Sequence, residues 1–123
     1  VCETLAVRDS GDADEVVTSQ LLAALPEGAS ADWLAVAYEP IWAIGTGRIP
    51  TLEAIQSMHA TLRAALASRI GQDQADAMRI LYGGSMNGDN AAEIIALPDV
   101  DGGLVGGASL SAAKFEPVIA AAD

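Results

Sequence analysis

Short apolar runs alternate with longer amphipathic stretches along this chain, and each run is closed by glycine or proline. Trp33–Ala37, Met78–Tyr82 and Val100–Val105 are the apolar runs, and each leads into a glycine- or proline-marked loop. Runs this short, separated by helix-length segments, are the pattern of βα units and a parallel sheet. The helical segments carry their own signals. Gly11 to Leu25 places Asp12, Asp14 and Glu15 in a first turn, where the helix dipole favours anions. Pro26-Glu27-Gly28 stops it. Thr51 is placed to cap a long helix to Ile70, with Leu52, Ile55, Met58, Leu62, Leu66 and Ile70 as its buried stripe and Gly71 as its stop. Asn87 or Asn90 caps a short helix through Leu97. Ser109 to Ala113 forms one helical turn, and Lys114 to Ala122 a last helix with Pro117 in its first turn. With Val1-Cys2 as the stub of a strand, the expectation is about four βα units in one domain, residues 1–123.

The strand over Leu34 to Tyr38 ends on the most informative residues. Glu39 sits where the strand leaves the core, and Pro40 fixes φ and removes an N–H, so the chain must turn away. Ile41-Trp42-Ala43-Ile44 and then Gly45-Thr46-Gly47 make a stiff apolar flap between flexible points, which is how a lid is built. A carboxylate under an apolar lid loses water when the lid shuts, and its basicity rises. Two further loops are rich in glycine: Tyr82-Gly83-Gly84-Ser85, and Gly102-Gly103-Leu104-Val105-Gly106-Gly107-Ala108-Ser109-Leu110. Glycines there let backbone N–H groups approach an anion closely.

These three motifs, in this order and at this spacing, resemble the catalytic lid and the two following phosphate-binding loops of the triosephosphate isomerase family. The resemblance runs from about Val1 to the C-terminus. It implies half of a (β/α)8 TIM barrel, strands five to eight, since a complete barrel takes about 250 residues and this chain has 123. A start at Val1, in the middle of a motif, fits the C-terminal half of a longer protein.

What the resemblance implies chemically is specific. Glu39 is the base that moves a proton between adjacent carbons of an enediolate, interconverting dihydroxyacetone phosphate and glyceraldehyde 3-phosphate, a step of glycolysis and gluconeogenesis. That role is carried over from the family and not read from the residues. Ser85, Gly106 and Gly107 hold the substrate phosphate, joined by the N–H of Gly45 on closure. Pro40 to Gly47, followed by Arg48 and Ile49, is the lid, with Trp42 packing at its hinge. Arg63 and Asp99 form a structural ion pair. Glu3 aligns with a family glutamate, while Cys2 stands where that family has glycine. The family tyrosine matched by Tyr82 bonds a lid amide that here falls on Pro50, which has no N–H, so Tyr82 needs another partner. The family's substrate-binding lysine and asparagine and its catalytic histidine match nothing in this chain. The isolated chain is therefore expected to be inactive, and the full-length protein a cytoplasmic homodimer. No metal or organic cofactor is implied.

His59, mid-helix, reads as a surface or partly buried histidine, and Lys114 as a surface charge. The formal charge of −11 argues against nucleic acid and anionic membranes as partners, while local N–H groups can still hold a phosphorylated triose. The single cysteine forms no internal disulfide. Two rival readings remain: another phosphate-binding βα-barrel enzyme, for which Gly-Gly loops are equally suitable, and a non-catalytic half-barrel that self-associates through open strand edges.

Overall fold

The computed structural model describes residues 1–46 and 48–123. Its elements run α1 (Leu5–Ser10), α2 (Ala13–Ala24), β1 (Ala35–Tyr38), α3 (Leu52–Ile70), α4 (Gln72–Ala77), β2 (Arg79–Tyr82), α5 (Ala91–Ile95), β3 (Gly102–Gly103) and α6 (Ala112–Ala121). Single 3-10 turns occupy Ile41–Ala43 and Gly107–Leu110. The strands form one parallel sheet in the order β1-β2-β3, with Tyr38 opposite Tyr82 and Leu81 opposite Gly102. Val1 adds one rung beyond β1: its amine donates to Ala37 O and its carbonyl accepts from Glu39 N, both at 2.8 Å. That is parallel pairing, and it bears out the expected strand stub.

Alternation along β1 and β2 sorts the sheet into two faces. Val36, Tyr38, Ile80 and Tyr82 are buried. They look toward α3, whose His59 ring lies 5.8 Å edge-on from the Tyr38 ring and 6.4 Å from that of Tyr82. Ile55, Met58, Leu62 and Leu66 of α3 complete this core, as their helical spacing requires. Burying one such side chain contributes about 1.5–3 kcal/mol. Ala37 and Leu81, on the other face, are only half-buried.

Local chemistry sets the helix ends. Thr51 caps α3 as expected, its hydroxyl accepting from Ala54 N at 3.1 Å. Gly71, with φ 93, ends α3 and turns the chain directly into α4. Arg63 ties the base of the sheet together. Its Nε donates to Asp99 Oδ1 and its Nη2 to Asp101 Oδ2, both at 2.7 Å, and its Nη1 to the carbonyls of Ala75 and Met78. The expected Arg63–Asp99 pair is therefore present, and Asp101 extends it.

Four expectations need correction. α1 and α4 are additional helices, the first capped by Thr4, whose hydroxyl accepts from Val7 N. β3 is two residues long instead of spanning Val100 to Val105, although bonds from Asp101 N to Ile80 O and Leu104 N to Tyr82 O continue the pairing past its ends. α6 begins at Ala112, which puts Pro117 in the helix interior and not in its first turn. The ring costs α6 a backbone bond, but it packs over Gly88, where a Cβ would come within 2.7 Å of Pro117 Cβ. His59 is fully buried, not on the surface.

Candidate functional site

The C-terminal ends of the strands open onto a cavity of about 790 Å³. Its wall includes Gly83, Gly84 and Ser85 after β2, Gly106 and Gly107 after β3, and Gly45 from the flap after β1. Three loops separated in sequence converge because three parallel strands deliver them to the same end of the sheet. Gly45 has φ 68, a left-handed conformation that favours glycine. Gly106 and Gly107 are exposed, and their amides donate no hydrogen bond among the described residues. Gly47, the last residue of the expected lid, lies outside the described residues.

Glu39 does not itself line this cavity, but sheet register sets it beside Gly83, which does. Tyr38 pairs with Tyr82, so Glu39 and Gly83 are the next residues on adjacent strands and share the half-covered face. A Cβ on Gly83 would sit 2.5 Å from Glu39 Cγ and 3.3 Å from its carboxyl carbon. Glycine at position 83 is what gives the Glu39 side chain room beside this wall residue. The backbone below it is fixed by Glu39 N to Val1 O and Gly83 N to Tyr38 O, both 2.8 Å.

Ser85 lines the cavity, but both its donors are engaged. Its hydroxyl donates to Ala43 O at 2.6 Å and its amide to the same carbonyl at 3.2 Å. Ala43 is fully buried, and Thr46 Oγ1 folds back onto Trp42 O. The flap is thus pinned at its midpoint, while Ile41 and Ile44 stay exposed on either side.

Behind the flap lies a polar cluster that sequence reasoning under-read. Glu3 is buried; its Oε1 accepts from Tyr38 Oη at 2.7 Å and from Trp42 Nε1 at 3.2 Å. The Arg8 guanidinium approaches the same oxygen at 3.5 Å and stands 5.5 Å over the Trp42 ring. Burial and then the Glu3 hydrogen bond push the Tyr38 hydroxyl well above its ordinary range. Trp42 is therefore held by Glu3, more than packed on a neighbouring loop. Cys2, half-buried, donates its amide to Gln20 Oε1.

Tyr82 has found no substitute latch. Its hydroxyl is buried without a hydrogen-bond partner among the described residues, over Gly84, and burial pushes its pKa up to about 12. His59 Nδ1 lies 3.0 Å from Asp99 O, while Nε2 has no hydrogen-bond partner among the described residues. Burial lowers the His59 pKa against the opposing pull of that carbonyl.

The triosephosphate isomerase family model matches residues 1–122. The chain belongs to the triosephosphate isomerase family. It is 54% identical over 119 residues to a triosephosphate isomerase of Ruegeria pomeroyi, covering 97% of this chain and 47% of that relative. It is 56% identical over 123 residues to one from Delftia acidovorans, covering 99% and 49%. The crystal structure of triosephosphate isomerase from Bartonella henselae superposes with a TM-score of 0.88 at 38% identity, covering 98% of this chain and 47% of that one. The expected family and partial TIM-barrel fold are borne out, and the rival reading of a different barrel family is dropped. The chain spans about half the length of the curated relatives it matches.

Proposed function

We propose that this chain is the C-terminal half of the barrel of a triosephosphate isomerase, in which Glu39 is the catalytic base. The observation that carries the reading is the Glu39 side chain against Gly83, at the edge of a cavity walled by three glycine loops. A carboxylate there can take a proton from carbon beside a carbonyl and return it to the neighbouring carbon, because one oxygen reaches both carbons of a planar enediolate. Proton transfer by a positioned base of this kind is worth about 10²–10⁴-fold in rate.

Gly106 and Gly107 offer amide donors to the phosphate of the substrate, and Gly45 adds its own when the flap closes. Ser85 joins only by releasing Ala43 O, so phosphate capture and flap movement are coupled through one hydroxyl. The Glu3–Trp42 hydrogen bond holds one end of the flap while the glycine-rich end moves. The rest of the family's catalytic machinery lies outside these residues, and the 123-residue chain by itself is inactive. The full-length protein is a cytoplasmic homodimer acting on triose phosphates.

The test is conversion of dihydroxyacetone phosphate by the full-length gene product in D₂O, followed by ¹H NMR. An enediolate route places deuterium on the carbon next to the carbonyl in the product. Conversion without any such deuterium, or no conversion, contradicts the proposal.

A further inference from the structure

We propose that Met86 is a positioning residue whose thioether, seated against Gly103, sets the spacing of the two glycine loops that receive the phosphate; the role rests on the phosphate-binding reading of this cavity. Met86 directly follows Ser85 on the loop after β2, and Gly103 ends β3, three residues before Gly106. A Cβ on Gly103 would lie 2.6 Å from Met86 Sδ and 2.9 Å from its Cε. The sulfur therefore fills the place where any other residue at position 103 would put its first side-chain atom. Gly103 does not have a left-handed φ, so its backbone does not call for glycine. Glycine weakens a strand and marks a close approach there, and what approaches is the Met86 side chain.

Hydrogen bonds leave the two loops independent of each other. The bond from Leu104 N to Tyr82 O, 2.9 Å, is the last between β2 and β3. Among the described residues none joins residues 83–90 to residues 105–111. Their separation is set by packing: the Pro117 ring from α6 over Gly88, and Met86 in the Gly103 notch at the root of both loops. Met86 is only 6% exposed, yet it lies on the cavity wall with Ser85, Gly106 and Gly107. A thioether turns about three bonds and fills irregular gaps. The surrounding core is close-packed, so a side chain pushed out of the notch has its open direction toward the cavity. Amide donors hold a phosphate only at hydrogen-bond distance, and a small change in loop spacing or an intruding methyl group is felt there directly.

The measurement is inorganic phosphate binding to the full-length gene product by isothermal titration, with KM and kcat for isomerisation alongside. The variants are Gly103→Ala, Met86→Val, the two combined, and Met86→Leu. Gly103→Ala drives the sulfur from the notch and Met86→Val leaves the notch empty. Each is expected to weaken phosphate binding about three- to thirty-fold, and to raise KM by a similar factor with kcat within about two-fold of wild type. The double variant carries as many side-chain heavy atoms as the Met–Gly pair, with the new methyl group standing where the sulfur stood. It and the volume-conserving Met86→Leu are expected to bind phosphate within about three-fold of wild type. Recovery in the double variant is what a merely structural role does not produce, since independent packing losses add. Where Gly103→Ala alone fails to fold, the step from Met86→Val to the double variant carries the test. Wild-type phosphate affinity in Gly103→Ala, or a double variant no tighter than Met86→Val, overturns the proposal. The two readings fail separately. Phosphate binding indifferent to these substitutions, with isomerisation intact, removes the brace alone. A wild-type protein that binds no inorganic phosphate removes the phosphate-binding reading, and the brace with it.

Discussion

Two tyrosines at equivalent positions on neighbouring strands have opposite hydroxyl environments. Tyr38 donates to the buried Glu3, whereas the Tyr82 hydroxyl has no partner among the described residues. Tyr38→Phe leaves a buried carboxylate one donor short, and a loss of about 1.5–3 kcal/mol is expected. Tyr82→Phe removes a polar group that gains nothing in the fold, and its stability should equal or exceed wild type. Urea unfolding of both variants checks the contrast. His59 gives a pH dependence. Its folded pKa is depressed by burial, so the unfolded chain binds the proton more readily. The stability tied to its neutral form is present above about pH 6.5 and falls as pH drops below that value, by at most about 1.4 kcal/mol per unit. Melting temperatures of wild type and His59→Gln between pH 7.5 and 5 should converge as the pH falls; parallel curves contradict this assignment. Sequence placed Glu39 correctly at a strand end. Gly83 was legible only as part of a glycine-rich anion-binding loop, because the room it leaves for Glu39 depends on the register between β1 and β2. The burial of His59 was missed because the tyrosines that enclose it come from strands whose distance from it no spacing along the helix reveals.

Elements were legible where capping and periodicity agree. α3 is the clear instance: Thr51 and Gly71 define both ends, and the structure has them there, with the expected stripe buried at Ile55, Met58, Leu62 and Leu66 but Leu52 exposed at the start of the helix. Thr51→Ala should lower stability by about 0.5–2 kcal/mol through the lost bond to Ala54 N, measurable as a shift of the urea midpoint at unchanged slope. α1 and α4 escaped notice because each is six residues long, too short for periodicity to separate from a loop. The strand expected over Val100 to Val105 is shortened by its composition. Gly102 and Gly103 are the only two residues in strand geometry, and Leu104, half exposed, has no covering element among those described. Pro117 was misplaced because α6 starts earlier than the lysine suggested, and the contact of its ring with Gly88 lies across the cavity loop.

At the scale of the molecule, the sheet has one face sealed by helices and one face half-covered. Ala37 and Leu81 lie on the second face, with Leu104 beside them and Leu110 at 87% exposure on the cavity side. In the Bartonella henselae structure about half of the chain lies outside the part that superposes. The 123-residue chain alone is therefore expected to self-associate through this face and the edge at β3. Sedimentation at rising concentration should show species larger than a monomer, and a strict monomer at all concentrations contradicts that expectation. The barrel class was legible from the alternation of elements and from three motifs in order. The half-covered face was not, since burial on a sheet depends on what lies opposite it.

The account rests on Glu39 as the group that moves the proton. Its direct measure is kcat for the isomerisation of glyceraldehyde 3-phosphate by the full-length gene product, comparing wild type with Glu39→Gln. The amide keeps the size of the side chain and its place over Gly83 but cannot accept the proton. A fall of about 10²–10⁴-fold with phosphate affinity preserved is the expected result; a variant retaining more than about a tenth of wild-type kcat contradicts it.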